Sequence, residues 1–371
     1  MILDLALVGF GNVGRRFVGL LEERREVLRR DHGIEWRVVG VATRRHGSSL
    51  DPSGLDPGNL LRGHFAGERV RDDSRGGEGR ADGVALIEAA ASASRAAGHP
   101  LVVVETTVLD IAGGQPAIDH VQAALRAGAH LVTANKGPVA FAFHELRAMA
   151  EEAGRQFLFE GAVMDGIPIF NLAARTLPGV RIHGFRGVVN STTNYIITAM
   201  ENGREFTEAL AEMQAAGIAE ADASLDVDGW DAAAKAAALA NVLLDARTTP
   251  REVERTGVGH LTGEAVRAAA ARGGRIKLVA RARRAGQSVR VTVGPEELPG
   301  DDLLAGLRGQ QNAVVFETDL LEDLAVVQLG GGLTQTAYAL VSDLVAVRRA
   351  LPAPRGASSR RSPAPHGPRR S

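Results

Sequence analysis

Apolar and polar positions alternate along the chain in blocks that change period, and the first block is the clearest. Leu3 to Val8 is a short apolar run that predicts a buried strand, and Asn12 to about Arg30 predicts one helix with Val13, Phe17, Leu20 and Leu21 facing inward. Trp36 to Ala42 predicts a second strand, so the opening forty residues form a βαβ unit whose right-handed crossover implies a parallel sheet. The stretch from Arg44 to about Gly83 is rich in Gly, Asp, Arg and Ser and predicts loops with one short helix. Regular periodicity then returns. Val84 to Ala97 predicts a helix, Leu101 to Glu105 a strand, Pro116 to Ala127 a helix, His130 to Thr133 a strand, Phe141 to Glu152 a helix and Phe157 to Phe159 a strand. This alternation is the signature of a doubly wound α/β domain.

After Pro168 the pattern changes. A helix, a strand over Ile182 to Val189, a polar turn NSTTN, another helix and a long acidic loop lead into an alanine-rich helix over about Trp230 to Asp245. Strands are expected at Ile276–Arg283, Ser288–Val293, Asn312–Thr318 and Leu324–Leu329, followed by a helix over Thr334 to Ala346 that packs back on the first domain. The expected organisation is a Rossmann-type doubly wound parallel sheet over 1–150, a mixed α/β substrate and dimerisation domain over 151–330, the returning helix in 331–350, and a Pro/Ser/Arg-rich disordered tail over 351–371. No internal repeat is visible.

Composition narrows the function. In 371 residues, 43 basic side chains balance 44 acidic ones, so no overall field draws the chain to nucleic acid or to an anionic membrane, and small-molecule partners are favoured. The 45% of hydrophobic residues suffices for packed cores. There is no cysteine, which removes disulfides, thiolate nucleophiles and cysteine-based metal sites and fits a cytoplasmic location. The opening MILDLALVGFGNVG carries an acidic residue and runs into a glycine pattern, so it reads as strand and turn and not as a secretion signal.

Candidate chemistry begins at that pattern. Gly9, Gly11 and Gly14 stand in GxGxxG spacing between a strand and a helix, where glycines permit a tight turn, close approach of a diphosphate and use of the helix N-terminal amides; an ordinary tight βα turn is the alternative. The end of the second strand, VVGVATRRHG, has Thr43, Arg44 and Arg45 where an acid would receive the ribose hydroxyls of NAD. Two guanidinium groups there favour the 2′-phosphate of NADP, although Asp51 or Asp56 remains available to an NAD ribose. Lys136 follows an apolar strand in HLVTANKGP, where its ammonium reaches the crevice at the carboxyl end of a parallel sheet. Asp231 and Lys235, four apart on the alanine-rich helix, share one face; a solvent-exposed ion pair is the plain alternative, but the surrounding alanines argue that this helix is packed. The acidic approach through Glu220, Asp222, Asp226 and Asp228 is suited to an amino group.

These segments together, GFGNVG, VVVETTVLDIAGGQPA, HLVTANKGP, FEGAVMDGIPI, GVVNSTTNYI, AEADASLDVDGWDAAAK and GGGLTQTAYALVSDL, resemble homoserine dehydrogenases over about Ile2 to Val347, in the compact form without a C-terminal regulatory domain. The resemblance implies reversible interconversion of L-homoserine and L-aspartate 4-semialdehyde with NAD(P), in the threonine and methionine branch of aspartate-family amino-acid biosynthesis, by a homodimer. It makes Lys235 the proton donor and acceptor, Lys136 a second lysine at the reacting oxygen, and Glu220 and Asp231 the groups that hold the substrate ammonium and order the lysines. Glu220, Asp226, Asp231 and Lys136 become the substrate-binding set. Phe10, Gly11, Asn12, Val13, Gly14, Thr43, Arg44, Arg45, Thr106, Lys136, Ser191 and Gly332 become the cofactor-binding set. The FEGAVMDGIPI segment resembles the family's monovalent-cation loop and implies sodium held at Glu160, Val163, Asp165 and Ile167. Three places depart from the family pattern: Ser191 replaces the glycine of the usual NGTTNY form, Asp165 replaces a commoner small residue, and the late turn at Gly330 to Gly332 has the variant form LGGGLTQT. The alternatives of other classes are a dehydrogenase of another small amino-acid alcohol and a non-enzymatic nucleotide-sensing protein of the same fold.

Overall fold

A computed structural model gives the architecture and describes residues 1–44, 47–65, 67–68, 82–215 and 222–352. Arg45, Glu220 and the segment 353–371 lie outside the described residues. The chain builds two six-stranded sheets. The first comprises β1 (Ile2–Val8), β2 (Glu35–Thr43), β3 (Gly47–Leu55), β4 (Leu101–Glu105), β5 (His130–Thr133) and β6 (Phe157–Leu158), in the spatial order β3-β2-β1-β4-β5-β6. All its pairings are parallel except β2 with β3. The strands at the centre are buried on both faces, which is why ILDLALV and LVVVE read as continuous apolar runs without alternation. Strand order reverses between β1 and β4, so a crevice opens beyond their carboxyl ends, where Gly9 and Thr106 stand.

The second sheet comprises β7 (Ile182–Val188), β8 (Glu254–Arg255), β9 (Gly274–Ala285), β10 (Ser288–Pro299), β11 (Asn312–Thr318) and β12 (Asp323–Gln328), in the order β12-β11-β7-β9-β10-β8. It is antiparallel except where β8 joins β10. The helix Trp230–Leu243 packs against it with Ala232, Ala233, Ala236, Ala237, Leu239 and Ala240, all buried with Ala280, Ala282, Val291 and Val293 of the sheet. Small side chains on nearly every side let this helix be enclosed and still keep its backbone close to its neighbours. The last helix, Leu333–Ala350, buries Ala337, Leu340, Val341, Leu344 and Val347 in the same core as Leu3, Leu5, Phe17 and Leu21 of the first half.

Three differences from the sequence reading have physical causes. The helix expected over Asn12 to Arg30 is two, Asn12–Glu23 and Arg25–His32, broken at Arg24 (φ −109°, ψ 10°), and only Leu28 of the second helix is buried. The stretch after Arg44 contains the short helix Pro57–Leu61 but also β3, an edge strand of composition GSSLDPSGL. Such a segment lacks apolar alternation and carries a proline, which an edge strand accepts because its outer N–H positions need no partner, so its strand character comes from pairing with β2. The NSTTN segment is not a free turn. Asn190 caps the helix Ser191–Glu201, its Oδ1 accepting from Thr193 N at 2.8 Å.

Candidate active site

Three glycines after β1 serve three different ends. A Cβ on Gly9, whose φ is +89°, would stand 2.6 Å from the carbonyl carbon of Thr106. A Cβ on Gly14 would stand 2.9 Å from Gly9 O, so Gly14 permits the helix to lie against the turn. A Cβ on Gly11 would meet nothing within 4 Å. Among the described residues the space above Gly11 is therefore open, and Gly11, the N-cap of the helix that begins at Asn12, makes no side-chain cap. Thr106 closes the far wall: its N donates to Val8 O and its Oγ1 to Gly9 O, each at 2.8 Å. This cradle fits the diphosphate of a dinucleotide, whose charge the first-turn amides of Asn12, Val13 and Gly14 would meet. Phe10 is buried and packs edge-on against Phe65, ring centroids 6.0 Å apart.

At the end of β2, Thr43 is followed by exposed Arg44. The two acids that remained open for a ribose are engaged locally. Asp51 accepts from Ser53 N (2.8 Å) and Ser53 Oγ (2.6 Å), which holds its carboxyl below the usual range, and Asp56 caps the helix Pro57–Leu61 through Asn59 N at 2.7 Å.

The candidate charged groups converge from three elements. Lys136, at the start of the helix Gly137–Ala153 after β5, places Nζ 3.1 Å from Asp231 Oδ1. Lys235 places Nζ 2.8 Å from Asp231 Oδ2 and also donates to Val189 O at 2.8 Å. Asn190 Nδ2 donates to Asp231 Oδ2 (2.9 Å) and Asp226 Oδ1 (2.6 Å). One carboxylate thus bridges two ammonium groups, and the side chains of Lys136, Lys235 and Asp231 are only 19%, 17% and 16% exposed. Burial alone would raise the Asp231 carboxyl, but Lys235 and Lys136 together outweigh it and drive it well below the usual carboxylate range. Burial likewise works to deprotonate Lys235, and the Asp231 charge with its hydrogen bond overrides it, so the ammonium is held above its ordinary value. Asp226 moves upward, by burial first and by the neighbouring Asp231 charge second.

An ammonium has three hydrogens. Lys235 commits one to Asp231 and one to Val189 O, which leaves one for a substrate oxygen. The arrangement can therefore hold a positive charge at a developing alkoxide and pass it a proton.

Several supporting groups escaped the sequence reading. Asn190 appeared there only as part of a turn, although an Asn directly before a helix is a capping signal, and its amide nitrogen orders both aspartates. Glu105, fully buried at the end of β4, accepts from Thr107 N (3.0 Å), Thr133 Oγ1 (2.9 Å) and Thr107 Oγ1, and so ties the two strand ends that carry Thr106 and Lys136. A glutamate closing an otherwise apolar strand was the available signal. Asn135 extends the network, with Nδ2 on Thr107 O at 3.1 Å and Oδ1 receiving Gly137 N at 2.9 Å. Lys277, with no exposed surface, donates to Asn194 Oδ1 (2.9 Å) and Leu307 O (2.6 Å) and anchors the Ser191–Glu201 helix to the second sheet.

In the loop that resembles a cation site, Met164 and Asp165 both have positive φ, 52° and 53°. The Glu160 carboxylate accepts from Phe170 N (2.8 Å), Asn171 N (2.7 Å) and Asn171 Nδ2, capping the helix Ile169–Thr176. Its side-chain oxygens are thus turned to N–H donors, and burial still raises its carboxyl above the ordinary value. The Ile167 carbonyl accepts from Ile169 N at 2.8 Å. Among the described residues, no three His, Cys, Asp or Glu side chains converge as a metal-ligand set, and no helix is long and apolar enough to cross a membrane.

Comparison with known proteins bears on the same two regions. Residues 9–160 match the family model described as homoserine dehydrogenase, NAD binding domain, and residues 168–345 match the model of homoserine dehydrogenase itself. The chain is 37% identical to an NAD(+)-dependent homoserine dehydrogenase of Pseudomonas canavaninivorans, over 93% of this chain and 96% of that protein. It is 34% identical to a homoserine dehydrogenase of Methanocaldococcus jannaschii, over 92% of this chain and 98% of the relative. A crystal structure of a homoserine dehydrogenase from Thiobacillus denitrificans superposes with a TM-score of 0.77 at 31% identity, covering 94% of this chain and 74% of that one. With a Rossmann-type half, a matching second half and whole-length relatives, the chain belongs to the homoserine dehydrogenase family of nicotinamide-dependent oxidoreductases.

Proposed function

We propose that the family reaction, hydride transfer between L-homoserine and L-aspartate 4-semialdehyde, is run here with Lys235 as the proton donor and acceptor. The single observation that carries the assignment is the Asp231 carboxylate bridging Lys136 and Lys235, with one Lys235 hydrogen still unassigned. When bound, the nicotinamide supplies or accepts the hydride. In the reducing direction, Lys235 gives its proton to the aldehyde oxygen as negative charge develops there, and Lys136 stabilises that charge from the other side of Asp231. In the oxidising direction, neutral Lys235 takes the hydroxyl proton. Asp226 and Asp231, which share the Asn190 amide, receive the substrate ammonium, and the resemblance of the sequence adds Glu220 to that role. The working division of the chain is a nucleotide-binding part over 1–150, a substrate and dimerisation part over 151–330, and the returning helix of 331–350. Replacement of Lys235 with Met should abolish proton transfer and leave cofactor binding intact; a folded variant that retains turnover overturns the role.

For the cofactor we favour NADP. The support is exposed Arg44 following Thr43 at the end of β2, together with the local engagement of Asp51 and Asp56. A second reading, NAD, is favoured by the name of the 37% identical relative. The ratio of kcat/KM with the two cofactors, and its change in Arg44→Ala, decides between them.

For sodium, the Glu160 side chain is committed to hydrogen bonds, so binding would fall to the backbone carbonyls of Glu160, Val163, Asp165 and Ile167. Activity compared in sodium and in a bulky organic cation tests it. A homodimer through the second half is supported by Leu320 and Leu321 (68% and 48% exposed) and Leu329 (75%) on and beside the β11–β12 hairpin, and sedimentation tests it. A cytoplasmic location completes the proposal and is read by cell fractionation.

A further inference from the structure

Ser191 and Asp165, the two single-residue departures from the family's motifs, are the ends of one hydrogen-bond chain. Asn312 Nδ2 donates to Ser191 Oγ at 2.8 Å and to Gln328 Oε1 at 3.1 Å. Gln328 Nε2 donates to Asp165 Oδ2 at 2.9 Å. Asp165 is held on its far side by the start of the last helix: Gly332 N donates to Oδ2 (3.0 Å) and Thr336 Oγ1 to Oδ1 (2.9 Å). Asn312 and Gln328 are almost wholly buried, so water does not stand in for a missing partner along the chain.

The chain has a direction, and Asp165 sets it. Both Asp165 oxygens accept, from Gly332 N and Thr336 Oγ1, so Gln328 turns its NH2 group toward Asp165 and its carbonyl toward Asn312. Asn312 must then present its own NH2, whose two hydrogens go to Gln328 and Ser191. Flipping either amide would set two acceptor oxygens against each other in a buried site. The direction has a visible cost: Asn312 Oδ1 is buried with no partner among the described residues. At the end of the chain Ser191 Oγ is an acceptor, which frees its proton, and that proton has no acceptor among the described residues. Ser191 directly follows Asn190, which holds Asp231, and lies two residues after Val189, whose carbonyl holds Lys235.

We propose that Asp165, acting through Gln328 and Asn312, fixes the Ser191 hydroxyl as a hydrogen-bond donor to an acceptor oxygen of the cofactor's nicotinamide nucleoside. The inference rests on the resemblance that puts Ser191 in the cofactor-binding set, and on its place beside Asn190 and Val189, which hold Asp231 and Lys235. A glycine at this position has no hydroxyl to donate, so the contact is one this chain adds. Ser191 is the binding residue; Asp165, Gln328 and Asn312 are positioning residues.

The test is equilibrium binding of NADPH and NADH to the full-length protein, followed by nicotinamide fluorescence, in a double-mutant cycle of Ser191→Ala and Asp165→Asn. Binding is the readout because Asp165 also acts electrostatically on Lys235 and would alter turnover by a separate route. Ser191→Ala should weaken the preferred cofactor about 3- to 10-fold, the size of one neutral hydrogen bond. Asp165→Asn should weaken it less in the Ser191 protein and not at all in the Ser191→Ala background. Gln328→Met, which cuts the chain and leaves Gly332 and Thr336 untouched, should give the same pattern and serves if Asp165→Asn does not fold. Unchanged binding in Ser191→Ala overturns the proposal together with the placement of Ser191. A Ser191→Ala penalty with undiminished Asp165→Asn and Gln328→Met penalties in that background overturns the relay alone. A dinucleotide lacking the carboxamide separates the two oxygens: loss of the Ser191→Ala penalty identifies the carboxamide oxygen, and its persistence identifies a ribose hydroxyl.

Discussion

The turn after β1 and the cluster around Asp231 do their work with different parts of the chain. At the turn, backbone is the functional material: Gly9, Gly11 and Gly14 are needed for what they lack, and each has a distinct distance to account for it. At the cluster, side chains are the functional material, and Lys136, Asn190 and Lys235 reach one carboxylate from three separate elements. A backbone site is encoded within a few neighbouring positions, whereas a side-chain site depends on the whole fold to bring its members together.

The largest effect that would break this comparison belongs to the cluster. Asp231→Asn keeps the shape and removes the charge between two ammonium groups, and kcat should fall about 100- to 1,000-fold, within the range for losing ordered acid–base catalysis. With the main cause of its upward shift gone, Lys235 loses its proton more easily, so the alkaline limb of homoserine oxidation should move to lower pH. In the wild type that limb has a definite sign. Oxidation needs neutral Lys235, whose pKa is raised, so kcat/KM should climb with pH above neutrality, while the reducing direction, which uses the ammonium, stays level there. Pre-equilibrium stopped-flow rates in both directions read this out, and a level oxidation profile between pH 7 and 9, taken as about that window, would remove Lys235 from the step.

The glycines sharpen the contrast at the next level. Gly9→Ala must push a Cβ against the Thr106 carbonyl at a positive φ, and thermal or urea unfolding should register a loss on the order of 3 kcal/mol. Gly11→Ala has open space around it and should fold normally, yet weaken cofactor binding by about tenfold, since the new methyl occupies the approach to the helix amides. Equal stability losses in both variants would contradict the division of roles.

The smallest effect concerns support for the cluster from the second sheet. Burial, with the charges of Arg308 and Arg275 adding, pushes Lys277 down to about 8. The unfolded chain therefore holds this proton more tightly than the folded one, and between about pH 8 and the ordinary lysine value near 10.4 the folded state gains stability as pH rises. The wild-type advantage over Lys277→Met in urea unfolding should grow across that window by on the order of 2 kcal/mol. A constant difference would mean that Lys277 holds its proton as tightly in the folded chain as in the unfolded one.

What could be read in advance follows the same division. GFGNVG between an apolar run and an amphipathic helix specifies a strand, a turn and a helix start by local sterics, and the two central strands announce themselves by unbroken apolar character. Asp231 and Lys235 were legible as one face of one helix by their spacing of four. That Lys136 would reach the same carboxylate rested on resemblance, because no local rule relates a residue after β5 to one on the helix Trp230–Leu243, some ninety positions on. Strand β3 was missed because its stability comes from β2 and not from its own composition. The Asn312–Gln328–Asp165 chain was invisible for a similar reason: an isolated Asn or Gln in a strand carries no sign of what it faces across the sheet.

The most direct measurement is steady-state oxidation of L-homoserine by the wild type and Lys235→Ala in parallel, with NAD and with NADP, alongside cofactor binding and melting of both proteins. The account predicts homoserine-dependent turnover in the wild type, a fall of about 100- to 10,000-fold in the variant, and little change in cofactor affinity or fold. A folded variant that oxidises homoserine within a few-fold of the wild type would place the proton-transfer group elsewhere and contradict the account.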